Sequence, residues 1–265
     1  MPLPYFVVDA FTDRPFAGNP AAVVPLDAWL PDATMAAIAA EMALAETAFF
    51  VPDGDDFRLR WMTPAVEVDL CGHATLATAH VLMRVLHPGR TAVRFHTRSG
   101  LLTVTAAGDG ATLDFPARVP VRIDEPDLQA AVAAALGAPV VELWRSRNLV
   151  AVLADAAAVR ALAPDFRRVN ALPTEGVIAT AAGDDGHDLV SRYFTPQHGI
   201  DEDPVTGSAH CTLTPLWAGK LGRTTLRAFQ ASRRGGAMVC ELAGDRVRMT
   251  GRSVLMARGE LLLDR

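Results

Sequence analysis

The chain has 265 residues, half of them hydrophobic and 21% charged, with 25 Lys and Arg against 30 Asp and Glu. That composition excludes a disordered, collagen-like or coiled-coil chain. With a formal net charge of -5 and no basic cluster beyond pairs such as Arg167-Arg168 and Arg233-Arg234, the sequence has no charge footprint for nucleic acid or an anionic membrane surface.

At roughly 100–200 residues per domain, the length fits one large domain or two small ones sharing a core. The opening MPLPYFVVDAF lacks the basic segment, long apolar stretch and cleavage site of a signal peptide, and no run approaches 18 apolar residues, so a soluble cytoplasmic protein is expected. Cys71, Cys211 and Cys240 are too few for a disulfide framework and too far apart for a CxxC motif, and read as reduced thiols.

In chain order, alternating or β-branched runs predict strands at 5 to 11, 57 to 62, 91 to 96, 101 to 105, 149 to 153, 177 to 180 and 189 to 194. Residues 32 to 43 predict a helix with Asp32 as N-cap and Met35, Ile38 and Met42 at helical spacing. Residues 72 to 86 and 207 to 218 predict helices that are apolar nearly all round, hence buried, each with a sheet wrapped about it. Pro215 inside the second predicts a kink or an early end.

The two halves repeat weakly. Trp61-Met62-Thr63-Pro64 leading to Gly72-His73-Ala74 has a counterpart in Tyr193-Phe194-Thr195-Pro196 leading to Gly207-Ser208-Ala209, an offset of 135 (207 − 72). Thr97-Arg98-Ser99-Gly100 meets Ser232-Arg233-Arg234-Gly235 at the same offset, and Asn19 and Glu46 match Asn148 and Glu175 at 129 (148 − 19 and 175 − 46). The order of elements implies a mixed α/β fold of two pseudo-symmetric lobes, each a mixed β-sheet wrapped around a central helix. The lobes are placed at residues 1–115, joined by a closing strand 255–265, and at 116–254, with the boundary in the Pro-rich, charged stretch 116 to 126.

Both central helices start at a glycine after an acidic loop. A helix start offers unpaired N–H groups and the positive end of the macrodipole, an anion-binding geometry. If a pseudo-twofold relates the halves, the loops 64 to 73 and 196 to 208 face one another and converge on one small carboxylate-bearing ligand. Glu46, among small and apolar residues where a helix passes into a strand, reads either as a buried proton carrier or as a helix-end charge pointing into water. His73 is either a group that acts on a ligand or a helix residue satisfied by the backbone, and Asp203 is either such a group or one of three acids in a solvated loop. Motifs for serine hydrolases, phosphate-binding loops, dinucleotides and HExxH metal sites are missing. His73 and His80 lie seven apart, but only Cys71 stands near them as a further ligand, so no metal site is assigned. Cofactor-free acid/base chemistry remains.

Val8-Asp9-Ala10-Phe11, Gly18-Asn19-Pro20-Ala21-Ala22-Val23, Leu44-Ala45-Glu46-Thr47-Ala48-Phe49, Cys71-Gly72-His73-Ala74-Thr75 and Glu202-Asp203-Pro204-Val205-Thr206-Gly207-Ser208-Ala209 together resemble the PhzF-like phenazine-biosynthesis isomerase family, in order through nearly the whole chain. The resemblance implies a diaminopimelate-epimerase-like fold, a homodimer, a site in the interlobe cleft and no cofactor. It also implies a glutamate, here Glu46, that moves a proton between ring carbons of a dihydro-hydroxyanthranilate-like substrate. It assigns catalytic roles to Glu46, His73 and Asp203, and substrate binding to Gly207 and Ser208. Gly72 is added by backbone geometry and Cys71 by its place at the helix start. Epimerases of this architecture use two facing cysteines, whereas here Cys71 is matched by Thr206, a far weaker acid, which disfavours two-thiol racemisation. The alternatives are an epimerase or racemase of a cyclic or other amino acid that uses Cys71 with an acid, and a small-molecule-binding protein without turnover.

Overall fold

The computed structural model describes residues 2–263. The chain divides into two compact units, one running to Phe115 and resuming at Met249, the other Pro116–Arg248.

In the first unit, β1 (Leu3–Ala10) lies antiparallel to β2 (Asn19–Pro25) and to β18 (Ser253–Leu261). β2 runs parallel to β3 (Glu46–Asp53), and the crossover between them is α1 (Asp32–Met42). β3 pairs antiparallel with β4 (Asp56–Met62), which pairs antiparallel with the short β5 (Glu67–Val68) and parallel with β6 (Ala92–Thr97). The second crossover is α2 (Gly72–His80). β7 (Gly100–Ala107) and β8 (Gly110–Pro116) add an antiparallel meander. Parallel neighbours need such crossovers, because a tight turn cannot return a strand in the same direction.

The second unit repeats this grammar. β9 (Val121–Ile123) and β11 (Leu149–Val152) flank β10 (Glu142–Arg145) antiparallel, and β11 runs parallel to β12 (Val177–Ala182). β12 pairs antiparallel with β13 (Leu189–Thr195), which takes β14 (Ile200–Asp203) antiparallel and β15 (Thr225–Gln230) parallel. β16 (Gly236–Ala243) and β17 (Arg246–Gly251) follow. Its crossovers are α4 (Ala156–Arg160) with α5 (Phe166–Asn170), then α6 (Gly207–Leu221), and α3 (Pro126–Leu136) is an addition that the repeat does not predict.

Each unit is a mixed sheet about one central helix. Every residue of α2 from His73 to Ala79 is buried, and α6 hides all but a few of its residues. The threonines on these helices turn their hydroxyls onto carbonyls four residues back, Thr78 to Ala74 at 2.7 Å and Thr214 to His210 at 2.6 Å, so that a polar group costs little in an apolar setting. On the other side of the first sheet, Met35, Ile38 and Ala39 of α1 close over Val24, Phe49, Val51 and Met62. In the second, α3, α4 and α5 cover Leu149, Ala151, Val177, Ala179 and Phe194.

Four expectations are corrected. Asp32 does not cap α1: Pro31 holds that position without a side-chain bond, and the Asp32 carboxylate instead accepts from Arg60 at 2.9 Å. The helix 72 to 86 is not α-helical throughout, since Val81–Leu86 widens into a π-helix whose end is marked by the His87 amide reaching the Leu82 carbonyl. Pro215 does not stop α6, which continues to Leu221. The carbonyl that Pro215 deprives of its helical donor, that of Cys211, accepts the Arg118 amide at 2.9 Å instead. Residues 249 to 254, placed by sequence with the second lobe, group with the first unit, because Ser253 and Val254 pair with Ala10 and Asp9. Residues 264 and 265 of the closing strand lie outside the described residues.

Candidate active site

In the first unit three elements bring a carboxylate, an imidazole and a thiol together. The parallel register of β2 and β3 sets Ala21 beside Glu46, so Asn19 and Glu46 stand at the same end of neighbouring strands. Gly18 makes this entry possible: its φ is +66°, and a Cβ there would meet the Ala10 carbonyl oxygen at 2.1 Å. The buried Asp9 carboxylate accepts the Phe16 amide at 3.0 Å and fixes the loop that leads in. Above the same strand ends sits the start of α2, with Cys71 in the N-cap position and His73 as its second helical residue.

Glu46 Oε2 lies 3.2 Å from His73 Nε2. The contact is not aligned as a hydrogen bond, and both atoms are shut off from solvent, so the carboxylate keeps a lone pair unengaged against the ring. The Glu46 side chain as a whole is 19% exposed, neither sealed in the core nor pointing freely into water. The other ring nitrogen, Nδ1, lies 3.1 Å from Asn19 Nδ2 and 3.5 Å from Cys71 Sγ. His73 is therefore held by side chains and not by the backbone.

Burial opposes charge on the His73 ring, but the acidic groups facing it, Cys71 and Glu46, outweigh that and raise its pKa well above the ordinary value. Of the two, the Glu46 carboxylate is the partner that matters at neutral pH, since burial first and the Glu46 charge second push the Cys71 thiol up and keep it protonated. Asn19 suits either state of the ring. Its amide donates to a bare Nδ1 in one orientation and accepts from Nδ1–H in the other. Sequence reasoning quoted Asn19 in a motif but gave it no role. Its signal was the duplication, where Asn148 is the buried counterpart.

The second unit builds a different constellation on the same scaffold. Asp203 ends β14, and its Oδ2 accepts from the Thr206 hydroxyl at 2.5 Å. Gln230 ties the turn, accepting from the Thr206 amide at 2.8 Å and donating to the Asp203 carbonyl at 2.7 Å. Gly207 is the buried first residue of α6 and Ser208, half-buried, the second, as Gly72 and His73 begin α2. His210, one turn on, is fully buried and donates from Nδ1 to the Thr206 carbonyl at 2.8 Å; burial lowers its pKa to about 4. Neither Gln230 nor His210 was singled out by sequence, because each acts on a loop distant in the chain or hidden inside an apolar helix.

The duplicated positions differ in chemistry. Glu175, the counterpart of Glu46, is 47% exposed and bound to Arg147 at 2.6 Å, and Ser208 and Thr206 replace His73 and Cys71. The carboxylate–imidazole pair thus belongs to the first unit.

A family model described as phenazine biosynthesis-like protein, PhzC-PhzF, matches residues 8–259. An uncharacterized isomerase of Pseudomonas aeruginosa is 49% identical over 99% of this chain and 100% of its own length. A crystal structure of a phenazine biosynthesis protein of the PhzF family from Enterococcus faecalis superposes with a TM-score of 0.96 at 46% identity, covering 99% of this chain and 100% of that one. A probable proline racemase of Agrobacterium radiobacter, 12% identical with a TM-score of 0.65 over 99% of this chain and 93% of that one, shares the fold alone.

Proposed function

The chain belongs to the phenazine biosynthesis-like PhzC-PhzF family, and on that premise we propose that it is an isomerase in which Glu46 moves a proton within a small carboxylate-bearing substrate. The observation that carries the reading is the Glu46–His73 contact at 3.2 Å, a half-buried carboxylate set against a buried imidazole. Glu46 takes a proton from a carbon beside an unsaturated group, the C–H electron pair delocalises into that group, and the proton returns to another carbon of the same molecule. Nothing is gained or lost, so the reaction asks for no external oxidant or donor. The imidazolium of His73 stabilises the charge that develops and holds the carboxylate in place between the two transfers.

Under the same reading Asp203, Gly207 and Ser208 keep the substrate-orienting and substrate-binding roles that the family resemblance implies for them. The amide groups at the start of α2, at Gly72 and His73, bind the substrate's carboxylate. Cys71 lines this region as a neutral thiol. A dihydro-hydroxyanthranilate and cyclic amino acids are the substrate classes to try.

The test is proton exchange in D2O followed by NMR with trans-2,3-dihydro-3-hydroxyanthranilate and a panel of cyclic amino acids. Wild type exchanges or isomerises one of them, and Glu46→Gln, folded by circular dichroism, loses at least about 10²-fold. A Glu46→Gln variant within a few-fold of wild type removes Glu46 from the mechanism. The second reading, epimerisation through Cys71, is favoured by the thiol lying 3.5 Å from His73 Nδ1. It requires that Cys71→Ser abolish exchange at a stereocentre. Binding without any exchange selects the non-catalytic alternative.

A further inference from the structure

At the start of α2 the sequence sets Cys71 two residues from His73, and the fold brings to them a carboxylate from β3, Glu46, 25 residues upstream of Cys71 (71 − 46). We propose that Glu46, Cys71 and His73 form a binding site for a thiophilic divalent cation, with Zn²⁺ as the type case, whose occupation silences the proton-transfer pair.

One ligand atom from each of the three residues lies within 4.8 Å of the other two. In a tetrahedral site with metal–sulfur bonds of about 2.3 Å and metal–nitrogen or –oxygen bonds of about 2.0–2.1 Å, ligand atoms sit roughly 3.4–3.6 Å apart. One separation is already of that size, 3.5 Å from Cys71 Sγ to His73 Nδ1, while Glu46 Oε2 stands 3.2 Å from the other ring nitrogen, Nε2. With Nδ1 as the ligand atom, closing the set from within 4.8 Å takes about 1 Å of movement, which falls to Glu46, the least buried of the three. Cys71 and His73 are held by the first turn of a buried helix, so their spacing is preset.

The ligand types select the metal. A thiolate with an imidazole and a single carboxylate suits Zn²⁺ or Co²⁺ and not Mg²⁺ or Ca²⁺, which take oxygen ligands. Three protein ligands leave a fourth position open. Binding exchanges protons and changes no oxidation state: the Cys71 thiol gives its proton to solvent as the metal–sulfur bond forms, and a His73 imidazolium gives up a second. The cation then occupies the Glu46 lone pair and a ring nitrogen that carbon-acid chemistry needs, so a chelator restores the metal-free state.

The experiment uses the whole protein, with Zn²⁺ alone and Co²⁺ alone in a non-coordinating buffer. One Zn²⁺ per chain is expected by competition with a chromophoric chelator, with release of at least one proton per cation, and the Co²⁺ complex shows a thiolate charge-transfer absorption. Cys71→Ala abolishes that absorption and weakens Zn²⁺ by about 100-fold or more, since loss of an outer partner alone costs 10–100-fold. Cys211→Ala and Cys240→Ala leave both unchanged. X-ray absorption of the wild-type Zn²⁺ complex, with one sulfur near 2.3 Å, carries the test if Cys71→Ala fails to fold. A wild-type Co²⁺ complex without thiolate absorption, a zinc shell without sulfur, or unchanged Zn²⁺ affinity in folded Cys71→Ala overturns the proposal.

Discussion

His73 and His210 show how the same side chain, buried in two helices of like placement, is driven to opposite charge states. His73 faces a carboxylate and is raised well above its ordinary value, so what its protonation adds to stability is complete below pH 6.5 and is lost as pH climbs through the folded value. His210 has no acidic partner among the described residues and is lowered to about 4 from 6.5 by burial, so the unfolded chain binds a proton in that window and the folded chain does not. Stability from this group therefore falls as pH drops from 6.5 to 4, by about 3 kcal/mol when complete. Urea unfolding at several pH values should show that acid-side loss in wild type and a flatter slope in His210→Gln. At the other ring, Asn19→Asp sets a second negative group beside Nδ1. NMR titration of His73 should then show the imidazolium persisting to higher pH, while an unchanged titration would mean that Asn19 does not touch the ring in solution.

At the scale of elements, the acidic loop before each central helix is anchored by the same device. Arg60 on β4 grips both oxygens of Glu67 on β5 at 2.8 and 2.7 Å, and Arg192 on β13 grips both oxygens of Glu202 on β14 at 2.7 and 2.8 Å. Arg192 is the more enclosed of the two arginines, and it also donates to the Leu162 carbonyl at 2.7 Å, which ties the strand to the segment after α4. Exposed ion pairs contribute under about 1 kcal/mol, whereas a buried one broken on one side costs about 3–5. Arg192→Met should fall near the lower end of the latter range, about 3 kcal/mol by chemical denaturation, because it strands Glu202 and the carbonyl together. A cost below about 1 kcal/mol would mean that the clamp is a surface ornament. The paired helices and the strands around them were legible because periodicity and the 135-residue offset (207 − 72) record them locally. The clamps were not, since neither arginine lies next to its partner in the chain.

For the whole molecule, the long-range feature that counts most is the return of the chain to its own beginning. β18 pairs with β1 from Leu3 and Leu261 to Ala10 and Ser253, with a register shift between Val7 and Val8. β1 in turn carries β2, which presents Asn19 and aligns Glu46. Removing residues from 253 onward leaves β1 a bare edge with unpaired amides and carbonyls. Such a truncation should lose hydrogen-exchange protection throughout β1 and β2 while β11 to β13 of the other unit keep theirs. Retained protection in β1 would show that the first sheet stands without its last strand.

By itself the sequence determined what is written in short-range pattern: the two buried helices, most strands, the doubled architecture, and the residue types from which a proton-moving site could be made. The tertiary structure decided which of those residues meet. Glu46 and Glu175 occupy matching places in the repeat, yet one faces an imidazole and the other an exposed arginine. The reason is physical. Periodicity follows from the local backbone, but the distance between a carboxylate on one strand and a ring on a later helix is set by strand register and by how the helix packs across it, and those come into being only when the sheet closes around its core.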